Sequence, residues 1–192
     1  MATIRDGSKG VLLVVDVQVG VLNNAWQAPR IVANIAHAVE RARAEQVPVI
    51  WVQHESDVLA RGSAPWQLVP ELAPTDAEVV LGKRFNSSFE DTALEATLAE
   101  LGASHIALAG AATNWCIRAT AYAALERGYD LTLLSDAHTT AAMDLGEGVE
   151  IDPAQVVHDL NAVMRWLSYP HRITRIAAVA DLGFVDLRGL DD

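Results

Sequence analysis

Ile106-Ala-Leu-Ala-Gly-Ala-Ala-Thr-Asn-Trp-Cys-Ile117 decides the reading of this chain. An apolar run ends at Gly110, a turn of small residues follows, and an amphipathic pattern begins at Cys116. Apolar continuity followed by helical spacing (Ile117, Ala121, Ala124, Leu125) is the signature of a buried strand feeding a helix. The helix is expected to stop near Gly128. The thiol falls at the helix N-terminus, where free N–H groups and the helix dipole favour a thiolate. A lone cysteine can equally be a small buried hydrophobe, so the rest of the chain has to weigh the two.

Upstream, Val11-Leu-Leu-Val-Val15 is a buried parallel-type strand and Ile31 to Gln46 is helical, with Pro29 in its first turn. Ile31, Ile35, Ala38, Val39 and Ala42 form its apolar face. Val47-Pro-Val-Ile-Trp-Val52 and Val79-Val-Leu81 are further strands, separated by a polar stretch at 54–77 that suits a lid or binding loop. Leu94, Leu98 and Leu101 mark a helix after Asp91.

Downstream, Leu131-Thr-Leu-Leu134 is the fifth strand, 136–152 is irregular, and a helix runs from Pro153 to Leu167 with Asp152 as its N-cap. Ile176-Ala-Ala-Val179 closes the series. Strands alternating with helices predict a three-layer α/β/α fold: a six-stranded parallel, doubly wound, Rossmann-like sheet in one domain over 1–192. Ligands of such sheets bind beyond the carboxyl ends of the strands.

The bulk numbers exclude several classes. A net charge of −11 argues against nucleic-acid binding. No apolar run reaches membrane-spanning length, and no signal-peptide pattern opens the chain. A single cysteine permits no disulfide within the chain, which suits a cytoplasmic protein. Neither a glycine-rich dinucleotide fingerprint nor a Gly-x-Ser-x-Gly elbow is present.

Asp16 follows the first strand, Lys83 the third and Cys116 the fourth, so all three project from the ligand edge. Lys83 can stabilise a thiolate by charge, and Asp16 can take the thiol proton and return it to a leaving group. Gln18 is placed to bond Asp16 or substrate, or to tie a turn. Trp26, Phe89 and Trp115 are candidate pocket walls, with Trp66 and Phe85 close by in sequence. Trp51 and Trp166 read as core or subunit-interface residues, and His158 and Asn161 as solvent or interface residues.

Val14-Val-Asp-Val-Gln18, Gly82-Lys-Arg-Phe-Asn-Ser-Ser-Phe89, Gly110 to Ile117 and Ser135-Asp-Ala137 together resemble, in order and spacing, the signatures of the isochorismatase-like cysteine hydrolases. The resemblance implies a catalytic triad of Asp16, Lys83 and Cys116 and a non-proline cis peptide at Ala111–Ala112. It also implies an oxyanion hole from the N–H groups of Ala112 and Cys116. The activity implied is hydrolysis of a C–N bond in a small amide, carbamoyl, urea or lactam substrate through a thioester, without a cofactor. A homo-oligomer, dimer or higher, is implied as well.

The nicotinamidase branch of that superfamily binds a metal through an Asp-x-His element after the second strand. Here that stretch is Trp51-Val-Gln-His-Glu-Ser-Asp57, with His54 alone, so no metal is expected and His54 reads as a pocket or loop-anchoring residue. Glu55 and Asp57 would suit a cationic substrate such as a streptothricin-type lactam. Two alternatives stand beside the hydrolase: a nicotinamidase-like amidase without its metal ligands, and a non-catalytic reactive-thiol sensor.

Overall fold

In the computed structural model, which describes residues 2–6 and 9–183, the chain runs as follows. Strand β1 (Lys9–Val15) leads through a short helix α1 (Val19–Leu22) into α2 (Ala28–Ala44) and β2 (Val49–His54). Then come β3 (Val79–Lys83), α3 (Leu94–Glu100) and β4 (Ala103–Ala111). A π-helical turn at Thr113–Ile117 continues into α4 (Arg118–Glu126) and β5 (Asp130–Thr139). The small antiparallel pair β6 (Met143–Asp144) and β7 (Glu150–Ile151) precedes α5 (Pro153–Trp166) and β8 (Thr174–Ala177). Met1, 7–8 and 184–192 of the expected 1–192 domain lie outside the described residues.

The main sheet has six parallel strands in the order β3-β2-β1-β4-β5-β8. From central β1 the chain winds outward to β2 and β3, then crosses back to β4, β5 and β8. That reversal puts the topological switch point, the usual ligand crevice of such sheets, between β1 and β4. Alternation along β1 divides the core: Leu12 and Val14 pack with α2, while Val11, Leu13 and Val15 pack with α3, α4 and α5. The whole apolar face expected of α2 is buried, and the Asp152 carboxylate caps α5 by accepting from Ala154 N at 2.9 Å.

Three expectations are corrected. Strand β5 continues to Thr139, because Gly110 and Ala111 pair with His138 and Thr139 beyond a register shift. Ser135-Asp136 interrupts the apolar alternation there and hid the continuation. The remainder of the irregular segment contains β6 and β7. The 54–77 stretch is strapped down rather than poised as a lid. Val19 N, Gly20 N and Val69 N bond Gln67 O, Pro65 O and Val17 O across it, each within 3.0 Å.

Candidate active site

Register alone assembles the site. Val15 pairs with Gly110, and His54 pairs with Lys83, so Asp16, His54, Lys83 and the cysteine turn meet at one edge. Asp16 turns off β1 with a left-handed φ of 53°, a conformation aspartate tolerates better than most residues. Gly110 (φ 125°) is required beside it: a Cβ there would lie 1.9 Å from Val15 O. The Ala111–Ala112 peptide bond that follows is cis.

Lys83 is the hub. Its ammonium lies 2.7 Å from Asp16 Oδ2, 3.1 Å from Cys116 Sγ, 3.1 Å from His54 Nδ1 and 3.2 Å from the Phe85 carbonyl oxygen. Asp16 and Lys83 are only 1% and 2% exposed and Cys116 7%, so little water screens these contacts. Asp16 Oδ1 is buried and has no hydrogen-bond donor among the described residues.

Burial raises the Asp16 carboxyl above its usual range, against the pull of Lys83. Burial, and then the Asp16 charge, push the Cys116 thiol up to about 12, and Lys83 only partly offsets this. Cys116 therefore rests as a thiol beside Asp16 and Lys83. The thiolate expected from the helix terminus and Lys83 is corrected on this point. Burial, followed by the Lys83 charge, lowers the pKa of His54 and favours the neutral ring. Its Nδ1 faces an ammonium, so Nδ1 accepts and Nε2 carries the proton.

The other candidate residues divide. Gln18 does not face the site. Fully buried, it clamps His54 by donating to His54 O (3.0 Å) and accepting from His54 N (2.8 Å), and it donates to Trp66 O as well. Phe89 is a core residue, its ring against Tyr129 (5.8 Å) with the Arg127 guanidinium over it. Trp26 packs edge-on against His158 and lines a cavity of about 130 Å³ with Ser135 and Asp136, away from the Lys83 contacts. Trp115, by contrast, is 52% exposed next to the buried thiol. Trp51 is core, its indole N–H on Glu78, whereas Trp166 is 81% exposed.

Sequence reading missed the tether of the cysteine turn. Asn161 Nδ2 donates to Ser135 O, so its Oδ1 accepts from His138 Nε2 at 3.1 Å. His138 Nδ1 is thereby left to accept the Thr113 hydroxyl at 2.9 Å. Burial lowers the His138 pKa to about 4, keeping the ring neutral and this direction fixed. Thr140 Oγ1 adds a second tether to Asn114 Oδ1 at 2.6 Å. A polar His-Thr-Thr run at the end of a strand was the available signal.

Comparison with known proteins places the chain in a family. A family profile, the isochorismatase domain, matches residues 10–152. The chain is 30% identical over 179 residues to the ureidoacrylate amidohydrolase RutB of Methylobacterium radiotolerans, covering 69% of this chain and 67% of that protein. It is 32% identical over 145 residues to a streptothricin hydrolase of Streptomyces noursei, covering 72% of this chain but only 57% of the relative. An isochorismatase from Pseudomonas putida KT2440 shares the fold with a TM-score of 0.82 at 29% identity, over 91% of this chain and 90% of that one. The chain belongs to the isochorismatase family of hydrolases.

Proposed function

We propose that this protein is a cysteine-dependent amidohydrolase acting on a small, non-peptide C–N bond. The observation that carries the reading is the Lys83 ammonium held between the Asp16 carboxylate and the Cys116 sulfur. The names of two relatives, a ureidoacrylate amidohydrolase and a streptothricin hydrolase, support amide-type chemistry.

The geometry suits proton transfer without a change in net charge. As the thiol proton moves to Asp16, the negative charge moves from carboxylate to sulfur, and Lys83 touches both. The Asp16 charge helps to hold the thiol protonated, and that cause disappears once the proton arrives, so the two groups titrate as one unit. The thiolate then attacks the carbonyl carbon. The N–H groups of Ala112 and Cys116 receive the developing oxyanion, a role in which one donor is typically worth about 10²–10³ in rate. The amine leaves with the proton from Asp16, and water hydrolyses the thioester and restores the thiol.

Glu55, half-buried at the end of β2 with its N–H on Lys83 O, supports a cationic amide or lactam as the preferred substrate. Among the described residues, an exposed Arg61 is the ion-pair partner of its carboxylate, at 3.8 Å. The same reading includes a homo-oligomer, which the exposed Trp115 and Trp166 support.

The test is mass-spectrometric turnover on amides, ureas, carbamoyl compounds and lactams, with Cys116→Ala in parallel. Gain of water by one class, lost in the variant, is the expected result. Turnover that survives in Cys116→Ala would overturn the reading. Light scattering of the full chain tests the oligomer.

A further inference from the structure

The four groups around the Lys83 ammonium are an unusual set to gather for a lysine. A carboxylate oxygen, an imidazole nitrogen and a cysteine sulfur are the three side-chain ligand types that zinc takes. One such atom from each of Asp16, His54 and Cys116 lies within 4.8 Å of the other two. A tetrahedral ion bound at about 2.0–2.3 Å would bring them to about 3.5 Å apart, a contraction within side-chain reach. His54 already presents the Nδ1 lone pair to a cation, and Asp16 Oδ1 lacks a donor.

We infer that Asp16, His54 and Cys116 form a latent site for a soft divalent cation, Zn²⁺ in the first instance, which the Lys83 ammonium keeps closed. The charge balance shows how the closure works. Counting Asp16 as ionised, carboxylate, ammonium and thiol sum to zero. A divalent ion bound to one carboxylate and one thiolate is already neutral, which leaves the ammonium without a counter-charge beside it. Entry of the ion therefore requires the thiol proton to leave for solvent and the ammonium to be displaced. Methionine at position 83 removes the competing charge while keeping the apolar stem, and only the thiol proton then has to leave. An ion bound there withholds the sulfur from any electrophile. The inference does not rest on the hydrolase reading, since capture of a metal is read without turnover.

The experiment is Co²⁺ titration of the full-length protein, following the thiolate-to-cobalt charge-transfer absorption, for wild type, Lys83→Met, Lys83→Arg and Lys83→Met/Cys116→Ala. Circular dichroism checks that each is folded. Lys83→Met is expected to bind one Co²⁺ per chain at least tenfold tighter than wild type. The band should vanish in the double variant, and Lys83→Arg, which keeps a cation in place, should stay closed. Equal affinity in wild type and Lys83→Met, or a band that survives loss of Cys116, would overturn the inference. Should Lys83→Met fail to fold, Lys83→Leu takes its place in the same titration, and affinity equal to wild type then refutes the site.

Discussion

Asp130 and Asp16 stand at opposite ends of the same sheet, both nearly without exposure, and they are held in contrasting ways. Asp130, at the start of β5, has both oxygens filled by backbone amides: Ala2 N at 2.9 Å and Ile173 N at 2.8 Å. Asp16, after β1, meets one ammonium through Oδ2, and Oδ1 has no donor among the described residues. A carboxylate saturated by fixed amides staples two segments to the sheet. One that faces a side-chain cation and keeps an oxygen in reserve can receive a proton. Burial alone separates nothing here; the completeness of hydrogen bonding does.

The largest effect should come from the reactive end. Asp16→Asn and Cys116→Ala are each expected to lower kcat by about 10⁴ or more, as triad removals do, while Asp130→Asn leaves the kcat of folded protein unchanged. Equal losses at Asp16 and Asp130, measured by steady-state kinetics, would erase the contrast. Gly110→Ala comes next. Its Cβ would strike Val15 O in a backbone conformation foreign to alanine, costing on the order of 3 kcal/mol in urea denaturation. A loss below 1 kcal/mol would show that this end of the sheet can yield.

Asp130→Asn should cost about 1–3 kcal/mol, because its amide turns an N–H donor toward a backbone N–H. Thr113→Val keeps shape but leaves the buried His138 Nδ1 without its donor. We expect a several-fold fall in kcat, about 1 kcal/mol, with KM unchanged and activity restored by Thr113→Ser. A fall in Tm with no change in kcat would reduce the tether to a structural bond.

A last effect is spread over pH. His138 at the reactive end and His105 at the other are buried neutral, with pKa values lowered by burial from 6.5 to about 4 and about 3. Between pH 6.5 and about 4 the unfolded chain binds protons that the folded chain refuses. Stability should therefore fall as pH falls through this window, by about 1.4 kcal/mol per pH unit for each histidine. Denaturation midpoints from pH 7 to 4 check this, and a flat profile would mean that both rings accept protons in place.

What the sequence disclosed follows from where information is local. Asp16, Lys83 and Cys116 each stand just past an apolar run, so a strand count places them on one edge. The Asp152 cap and the apolar face of α2 are local too. What it hid depends on who stands next to whom. Gln18 reaches backbone on β2, and Thr113, His138 and Asn161 come from three separate elements, so each reads as an ordinary polar residue until the register of β4 and β5 is known. Phe89 reads as a pocket residue because Lys83 is near in sequence, yet its ring turns to Tyr129. The state of Cys116 is not legible in the sequence, because helix terminus and lysine are both visible there, whereas burial and the distance to Asp16 are not.

One consequence of the Lys83 environment concerns motion. An ammonium carries three protons, and here it is offered four partners. One partner is unserved at every instant, and which one it is can change by spinning about the last carbon–nitrogen bond. The head group works as a rotor on a fixed axle. It can follow negative charge from the carboxylate to the sulfur and back while the buried hydrocarbon stem stays still.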